Sequence, residues 1–319
     1  MSINVGIIGY GNLGKALEQV ILSRPECRLV AVFSRRLVKS KFNTLIESYE
    51  KIAMYRNKID VMILCGGSSS DIEGQTSEAI LHFDCINSFD NHKKIVPELK
   101  RLNKLAISSN HRLIMSCGWD PGLFSNIRSL IYSFSKIKPY VFWGKGISMG
   151  HSEAIKKTPN VIDALQFTVP NKIAVSLAKR SKISGDETLH FRECFVVADK
   201  KYHRTIEKNI RQIPNYFKGQ STTINFISSE KLLKLRSKFS HQGEVISHFK
   251  TIHGSNCSVD FKLKMDSNPN LTATIMASYI NAIINLKNKN ISGAFTTLDI
   301  PPIFLFKPSS RHKITEMLC

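Results

Sequence analysis

Near the start of the chain three glycines stand in the spacing Gly-x-Gly-x-x-Gly, as Gly9-Tyr10-Gly11-Asn12-Leu13-Gly14. The spacing suits dinucleotide binding. The first glycine permits a tight turn, the second lets backbone approach a pyrophosphate, and the third lets a helix pack closely on a strand. The helix N-terminus then offers free N–H groups and the positive end of its dipole. Such a motif carries weight only when a strand precedes it and a helix follows. Ile3–Ile8 reads as a short buried strand, and Leu13, Ala16, Leu17, Val20 and Ile21 repeat on one helical face. Arg24-Pro25 ends that helix, and residues 29–33 read as a second strand. An NAD enzyme usually carries an acid at the end of this strand, for the ribose hydroxyls. Here the residues are Ser34-Arg35-Arg36. A hydroxyl and two guanidinium groups match a 2′-phosphate, so NADP is the expected cofactor.

A second kind of chemistry needs groups that can hold or accept a proton. Asp90 lies in Ser88-Phe89-Asp90-Asn91-His92, and Asp120 lies in Cys117-Gly118-Trp119-Asp120-Pro121-Gly122. Residues 60–65 read as a third strand leading into Gly66-Gly67-Ser68-Ser69-Ser70, and residues 82–87 and 112–116 as further strands. Segments long enough for crossover helices separate them. The expectation is an α/β fold of Rossmann type, a doubly wound parallel sheet that binds ligands beyond the carboxyl ends of its strands. Both aspartates would then face the crevice that holds the nicotinamide. Loop aspartates also form turns and cap helices, and position alone weighs the two roles equally. Beyond the glycine turn and Ser34, Arg35 and Arg36, the cofactor is expected to meet Cys65, Gly66, Gly67, Ser68, Ser88, Phe89, Asp90, Cys117, Gly118, Trp119, Asp120 and Pro121.

After Pro121 the alternation weakens. Residues 140–143, 191–198, 222–226, 245–252 and 258–265 read as strands, and 171–182 and 203–211 as helices, which fits a second, α+β domain. A long helical pattern over 271–286 returns to the nucleotide domain. The expected division is 1–118 completed by 269–319, with 119–268 as the second domain. Arg192 stands in the apolar run Phe191-Arg192-Glu193-Cys194-Phe195. A buried arginine there needs an anionic partner, and Glu193 points to the other face of the strand.

The 319 residues carry 42% hydrophobic and 22% charged residues, enough to build cores and against disorder. The formal charge of +20 is spread along the chain without aromatic interleaving, so a solvated lysine-rich surface is expected rather than a nucleic-acid or membrane partner. No signal sequence or long apolar run is evident, and a cytoplasmic enzyme is expected. Seven cysteines without a Cys-x-x-Cys pair read as reduced thiols, with Cys65, Cys85 and Cys117 as small buried hydrophobes. The histidines 151, 190, 203, 248 and 253 lack metal-ligand spacing and read as structural or surface groups. No metal is expected.

The sequence resembles the meso-diaminopimelate dehydrogenases over nearly its whole length. The resemblance rests on the glycine motif, Phe33-Ser34-Arg35-Arg36, Asp90-Asn91-His92, Gly118-Trp119-Asp120-Pro121-Gly122, Phe142-Trp143-Gly144, Gly150-His151-Ser152, Cys194-Phe195-Val196-Val197-Ala198-Asp199 and Ser292-Gly293-Ala294-Phe295-Thr296. It implies an NADP-dependent enzyme of lysine biosynthesis that oxidises the D-configured end of meso-2,6-diaminopimelate, and a homodimer whose second domain binds substrate and dimerises. It also implies that Asp90 and Asp120 hold the reacting ammonium, with Trp143 and the loop of Ser148, Met149 and Gly150 around that end. Thr168, Arg192, His241 and Asn268 would hold the L-configured end. Two departures stand out: Met149 where the family usually has Gln, and a divergent segment over 239–245 around His241. They leave open a related NADP-dependent dehydrogenase for another diamino acid or a 2-keto acid. A non-catalytic NADP-binding sensor ranks last, because both aspartates are present.

Overall fold

A computed structural model describes residues 2–67, 71–183, 188–236 and 241–310, together with Ile314 and Glu316. The chain begins β1 (Ile3–Ile8), α1 (Asn12–Leu22), β2 (Cys27–Ser34), β3 (Ile46–Ser48), β4 (Val61–Leu64), α2 (Ile72–Ala79), β5 (Asp84–Asn87), α3 (Ile95–Ser108), β6 (Arg112–Met115) and α4 (Leu123–Ser135). Next come β7 (Tyr140–Trp143), β8 (Gly146–Ile147), α5 (Met149–Lys156), β9 (Asp163–Pro170), α6 (Lys172–Ala178), β10 (His190–Val197), α7 (His203–Gln212), β11 (Thr222–Phe226), α8 (Ser229–Arg236), β12 (His241–Lys250) and β13 (Asn256–Met265). The chain closes with α9 (Asn268–Ser278), α10 (Ile280–Asn288) and β14 (Gly293–Thr296). It divides into unit 1, Met1–Asn126 with Pro269–Cys319, and unit 2, Ile127–Asn268.

Unit 1 holds a seven-stranded sheet in the order β14-β6-β5-β4-β1-β2-β3. Each pairing in it is parallel. Its short strands are apolar at successive positions because both faces are covered. Val61 and Ile63 of β4 pack into one core with α1, α9 and α10, while Met62 and Leu64 pack into the other with α2 and α3. The same alternation splits Ile7 from Ile8 and Val32 from Phe33. This is the doubly wound arrangement that the glycine motif requires.

Two features of unit 1 go beyond the sequence pattern. The edge strand β3 adds a pairing to β2 that its short run, Ile46-Glu47-Ser48, does not announce. The pattern over 271–286 is two helices, because at Tyr279 the backbone N–H turns to Met276 O at 3.1 Å and interrupts the ladder. The compact unit built on this sheet continues into α4 as far as Asn126. The loop 117–122 and the start of α4 are tied to this unit: Thr297 Oγ1 donates to Gly122 O at 3.4 Å, and Asn126 Nδ2 to the Tyr279 hydroxyl at 3.3 Å.

Unit 2 has a four-stranded sheet, β11-β10-β9-β8, and a three-stranded sheet, β13-β12-β7. Strands β8, β9 and β10 are antiparallel neighbours, β11 runs parallel to β10, and β12 pairs antiparallel with both β13 and β7. Phe217, Ile206, Ile210, Val196 and Cys194 form one of its cores. Strand β9, which the sequence pattern leaves unassigned, brings Thr168 directly opposite Arg192 of β10.

Candidate active site

In unit 1 the glycine turn follows β1, and Gly9 N donates to Phe33 O at 2.9 Å, joining it to the end of β2. A Cβ on Gly14 would lie 2.1 Å from Gly9 O, so helix and turn approach too closely for any other residue. A Cβ on Gly11 would meet nothing within 4 Å, which leaves that face of the turn open to a ligand. Helix α1 starts there with no side-chain cap and no acidic residue in its first turn. Its first N–H groups therefore suit a pyrophosphate. Tyr10, buried beside the turn, donates its hydroxyl to Glu18 at 2.5 Å.

At the end of β2, Ser34 Oγ donates to Arg36 O at 2.9 Å and accepts from Arg36 N at 3.1 Å, closing a turn beneath the two arginines. Arg36 is exposed, and Arg35 pairs with Asp71 at 2.7 Å with its side chain 56% exposed. Sequence reasoning missed Asp71. Its only local signal is its place between a small-residue loop and a helix. An exposed pair of this kind is worth little on its own, so Arg35 keeps its capacity for a phosphate. After β4, burial raises the Cys65 thiol, while Gly66 sits where a Cβ would meet Gln75 Oε1 at 2.2 Å. Gly67 O accepts from Asp71 N at 2.9 Å. Ser68 lies outside the described residues.

The loops carrying the two aspartates leave β5 and β6, which are adjacent in the sheet. Asn87, the last residue of β5, is 1% exposed and joins them. Its Oδ1 accepts from Phe89 N at 3.2 Å and from Ser116 N at 3.2 Å. Its Nδ2 donates to Thr76 Oγ1 of α2 at 3.1 Å, and its carbonyl accepts from Cys117 N at 2.8 Å. Nothing in the sequence distinguishes this amide from other polar strand ends. Beyond it Ser88 is half-buried, Phe89 is buried and Asp90 is exposed. The second loop closes on itself: Gly118 N donates to Pro121 O at 3.0 Å, and a Cβ on Gly122, at φ +128°, would lie 2.0 Å from Gly118 O. Asp120 is half-buried within it, and Trp119 packs edge-on against Phe124 at 5.2 Å. Cys117 is fully buried and its thiol is pushed up by burial.

Unit 2 gathers a second polar group. Arg192 Nη1 donates to Thr168 Oγ1 at 2.9 Å, and Arg192 Nε is buried with no hydrogen-bond partner among the described residues. Burial lowers the guanidinium's pKa from its ordinary value. Glu193 turns to the opposite face and pairs with Lys145 at 2.8 Å, as strand alternation requires. Ser148 Oγ meets His151 Nδ1 at 2.7 Å just before α5, which begins with exposed Met149 and Gly150. Burial, then the Arg192 charge, holds His151 down to about 4, so it is neutral. Trp143 N donates to His190 Nε2 at 2.7 Å, and the two rings stack at 4.8 Å. His190 is likewise lowered to about 4 by burial and then Arg192. Both histidines read as ordinary structural groups in the sequence, yet they support Ser148 and Trp143. His241 reaches Ile147 O through Nε2 at 2.8 Å. A carbonyl only accepts, so Nε2 carries the proton there, and the buried Nδ1 offers its lone pair if the ring is neutral. Asn268, half-buried, opens α9.

Among the described residues no group of His, Cys, Asp and Glu is placed to hold a metal ion, and no helix is long and apolar enough to cross a membrane. An open glycine turn, an uncapped helix start and arginines at the end of the second strand are what a phosphorylated nicotinamide cofactor requires, and they define a dehydrogenase of Rossmann type.

Comparison with known proteins narrows that class. Residues 118–267 match the family model for the diaminopimelic acid dehydrogenase C-terminal domain. A meso-diaminopimelate D-dehydrogenase of Ureibacillus thermosphaericus is 38% identical over 324 residues, covering 99% of each chain. A structure of the C. glutamicum DAP dehydrogenase in complex with DAP superposes with a TM-score of 0.92 at 34% identity over 98% of each chain. That of an engineered D-amino acid dehydrogenase bound to NADP+ gives 0.90 at 34% identity over 99% of each. The chain belongs to the meso-diaminopimelate D-dehydrogenase family, NADP-dependent oxidoreductases that act on CH–NH2 groups.

Proposed function

We propose that the chain catalyses the reversible, NADP-dependent oxidative deamination of meso-2,6-diaminopimelate at its D-centre, giving L-2-amino-6-oxopimelate and ammonia. The observation that carries this reading is Arg192. Its half-buried guanidinium bonds Thr168 and has no carboxylate at ion-pair distance among the described residues. A substrate with a second carboxylate, remote from its reacting amine, supplies that partner bidentately. Thr168, His241 and Asn268 add polar contacts to the same L-configured end. Trp143, Ser148, Met149 and Gly150 surround the D-configured end.

Asp90 and Asp120 balance the substrate ammonium, and Asp120, half-buried, is the natural proton acceptor. Loss of that proton frees the nitrogen lone pair, which expels hydride from the adjacent carbon. The bound cofactor supplies the hydride acceptor. Water then adds to the resulting iminium, and ammonia leaves as the C–N bond breaks. Arg35 and Arg36 take the 2′-phosphate. The glycine turn, with Cys65, Gly66, Gly67, Ser88, Phe89 and the 117–121 loop, lines the rest of the cofactor. The enzyme acts in lysine biosynthesis in the cytoplasm as a homodimer.

Oxidation of meso-diaminopimelate with NADP, set against the LL and DD isomers, tests the reading. Turnover of the meso isomer well above LL is expected. Equal rates for LL and meso, or no NADPH formed from either, would refute it. A second reading, a related dehydrogenase for another diamino acid or 2-keto acid, rests on Met149, whose apolar side chain is 54% exposed at the start of α5. It predicts faster turnover of such a substrate than of meso-diaminopimelate.

A further inference from the structure

Glu18 is a buried carboxylate that the reaction above does not use. It lies on α1 and is 0% exposed, where an uncompensated charge would be costly. Two hydroxyls compensate it. Tyr10 donates to Oε2 at 2.5 Å, and Ser40 donates to Oε1 at 2.5 Å. These donors come from two separate segments. Tyr10 stands inside the glycine turn, and Ser40 stands on the connection from β2 to β3, a few residues beyond Arg35 and Arg36.

The other polar side-chain tie on that connection is the exposed Arg35–Asp71 pair at 2.7 Å, which is worth little on its own. Arg35, Arg36, Leu37 and Lys39 are exposed, and Val38 is the partly buried contact with the core. Ser34 fixes its start through Arg36. Ser40 fixes its end, since its Oγ also accepts from Phe42 N at 2.9 Å and Thr44 N at 3.3 Å. The Tyr10 phenol is raised by burial first and by its bond to Glu18 next, so it remains a donor at neutral pH.

We infer that Glu18 is a positioning residue for cofactor selection, holding the arginine-bearing connection at a fixed spacing from the glycine turn so that one ligand meets both. This rests on the assignment of Arg35 and Arg36 to the 2′-phosphate. NAD lacks that phosphate and draws nothing from the tether. NADP needs the guanidinium groups in register with its pyrophosphate.

The test uses Ser40→Ala, which removes one donor without disturbing α1, and Ser40→Thr, which restores a hydroxyl. Dissociation constants for NADP and NAD are measured on each. Ser40→Ala is expected to lower the NADP-to-NAD affinity ratio about five- to tenfold, the scale of one ordinary net hydrogen bond. Ser40→Thr is expected to recover most of it. In an Arg35→Ala/Arg36→Ala background the same change should do nothing further to the ratio, because the coupled groups are gone. Glu18→Gln, if it folds, should follow Ser40→Ala. An unchanged ratio in Ser40→Ala, or equal weakening of both cofactors, would overturn the inference and leave Glu18 a packing residue. If the arginine pair alone leaves the ratio unchanged, the phosphate assignment falls and the inference falls with it. If the pair collapses the ratio and Ser40→Ala does not, only the inference falls.

Discussion

The polar groups at the carboxyl edge of unit 1 are held mainly backbone to backbone, whereas each of those gathered in unit 2 is held through at least one side chain. Gly9 N on Phe33 O, Cys117 N on Asn87 O and Gly118 N on Pro121 O fix the first group. Arg192 on Thr168 and Ser148 on His151 fix the second. A backbone-held site is carried by turns, which glycine and proline mark at short range. A side chain-held site depends on which residues a sheet register brings together, and its buried groups are left costly when one partner is lost. The two regions should therefore respond differently to substitution.

The largest effect is expected in the backbone-held loop. Asp120→Asn keeps the fold of 117–122 and removes the proton acceptor. Turnover should fall on the order of a hundred- to ten-thousandfold, with NADP affinity unchanged within a factor of about two. Steady-state kinetics and cofactor titration check this. Near-full turnover at saturating substrate would make Asp120 a turn former and remove the contrast. Next, Arg35→Ala with Arg36→Ala should weaken NADP about ten- to a hundredfold and leave NAD nearly as before. The loss should shrink as salt rises, since the site is exposed. Equal loss for both cofactors would dissociate the arginines from the 2′-phosphate.

Smaller effects should come from unit 2. Arg192→Lys keeps the charge and loses the bidentate fork, so KM for the diamino acid should rise about tenfold. NADP affinity and melting temperature should stay nearly constant. A lowered melting temperature with an unmoved KM would make Arg192 a structural group. The smallest effect concerns pH. His151 and His190 fall from 6.5 to about 4 in the folded protein, so the unfolded chain binds more protons across that window. Their contribution to stability is complete above about 6.5 and is lost as pH falls toward 4. Melting curves should shift down between pH 7 and 5, and His190→Asn should flatten that slope by a few degrees at most. A slope identical in variant and parent would show that His190 does not titrate on unfolding.

This contrast also explains what the sequence reveals. The parallel sheet, the turn at Gly9 and the loops bearing Asp90 and Asp120 follow from short-range pattern, because each strand end is followed at once by its functional loop. Strand β3 is too short to carry a period, and β9 mixes Gln166 and Thr168 into an otherwise apolar run. Thr168 and Arg192 meet through antiparallel pairing 24 residues apart, which no local spacing encodes. The same holds for Asn87 and for Asp71, whose partners lie on other elements. His151 and His190 were legible as residues but not as supports, because stacking and desolvation depend on neighbours that the fold supplies.

The buried thiols have a consequence for measuring how the protein opens. Cys85 and Cys117 lie in unit 1 and Cys194 in unit 2, each 0% exposed. Burial lifts all three thiols, that of Cys194 to about 12. A disulfide reagent meets none of them as a thiolate in the closed chain, since the thiolate is the attacking species. Modification therefore proceeds through transient opening, and its rate at each cysteine counts those openings. Mass spectrometry of partly labelled protein separates single from multiple adducts. If Cys85 and Cys117 become modified together while Cys194 keeps its own schedule, each half of the chain carries a separate clock of its unfolding.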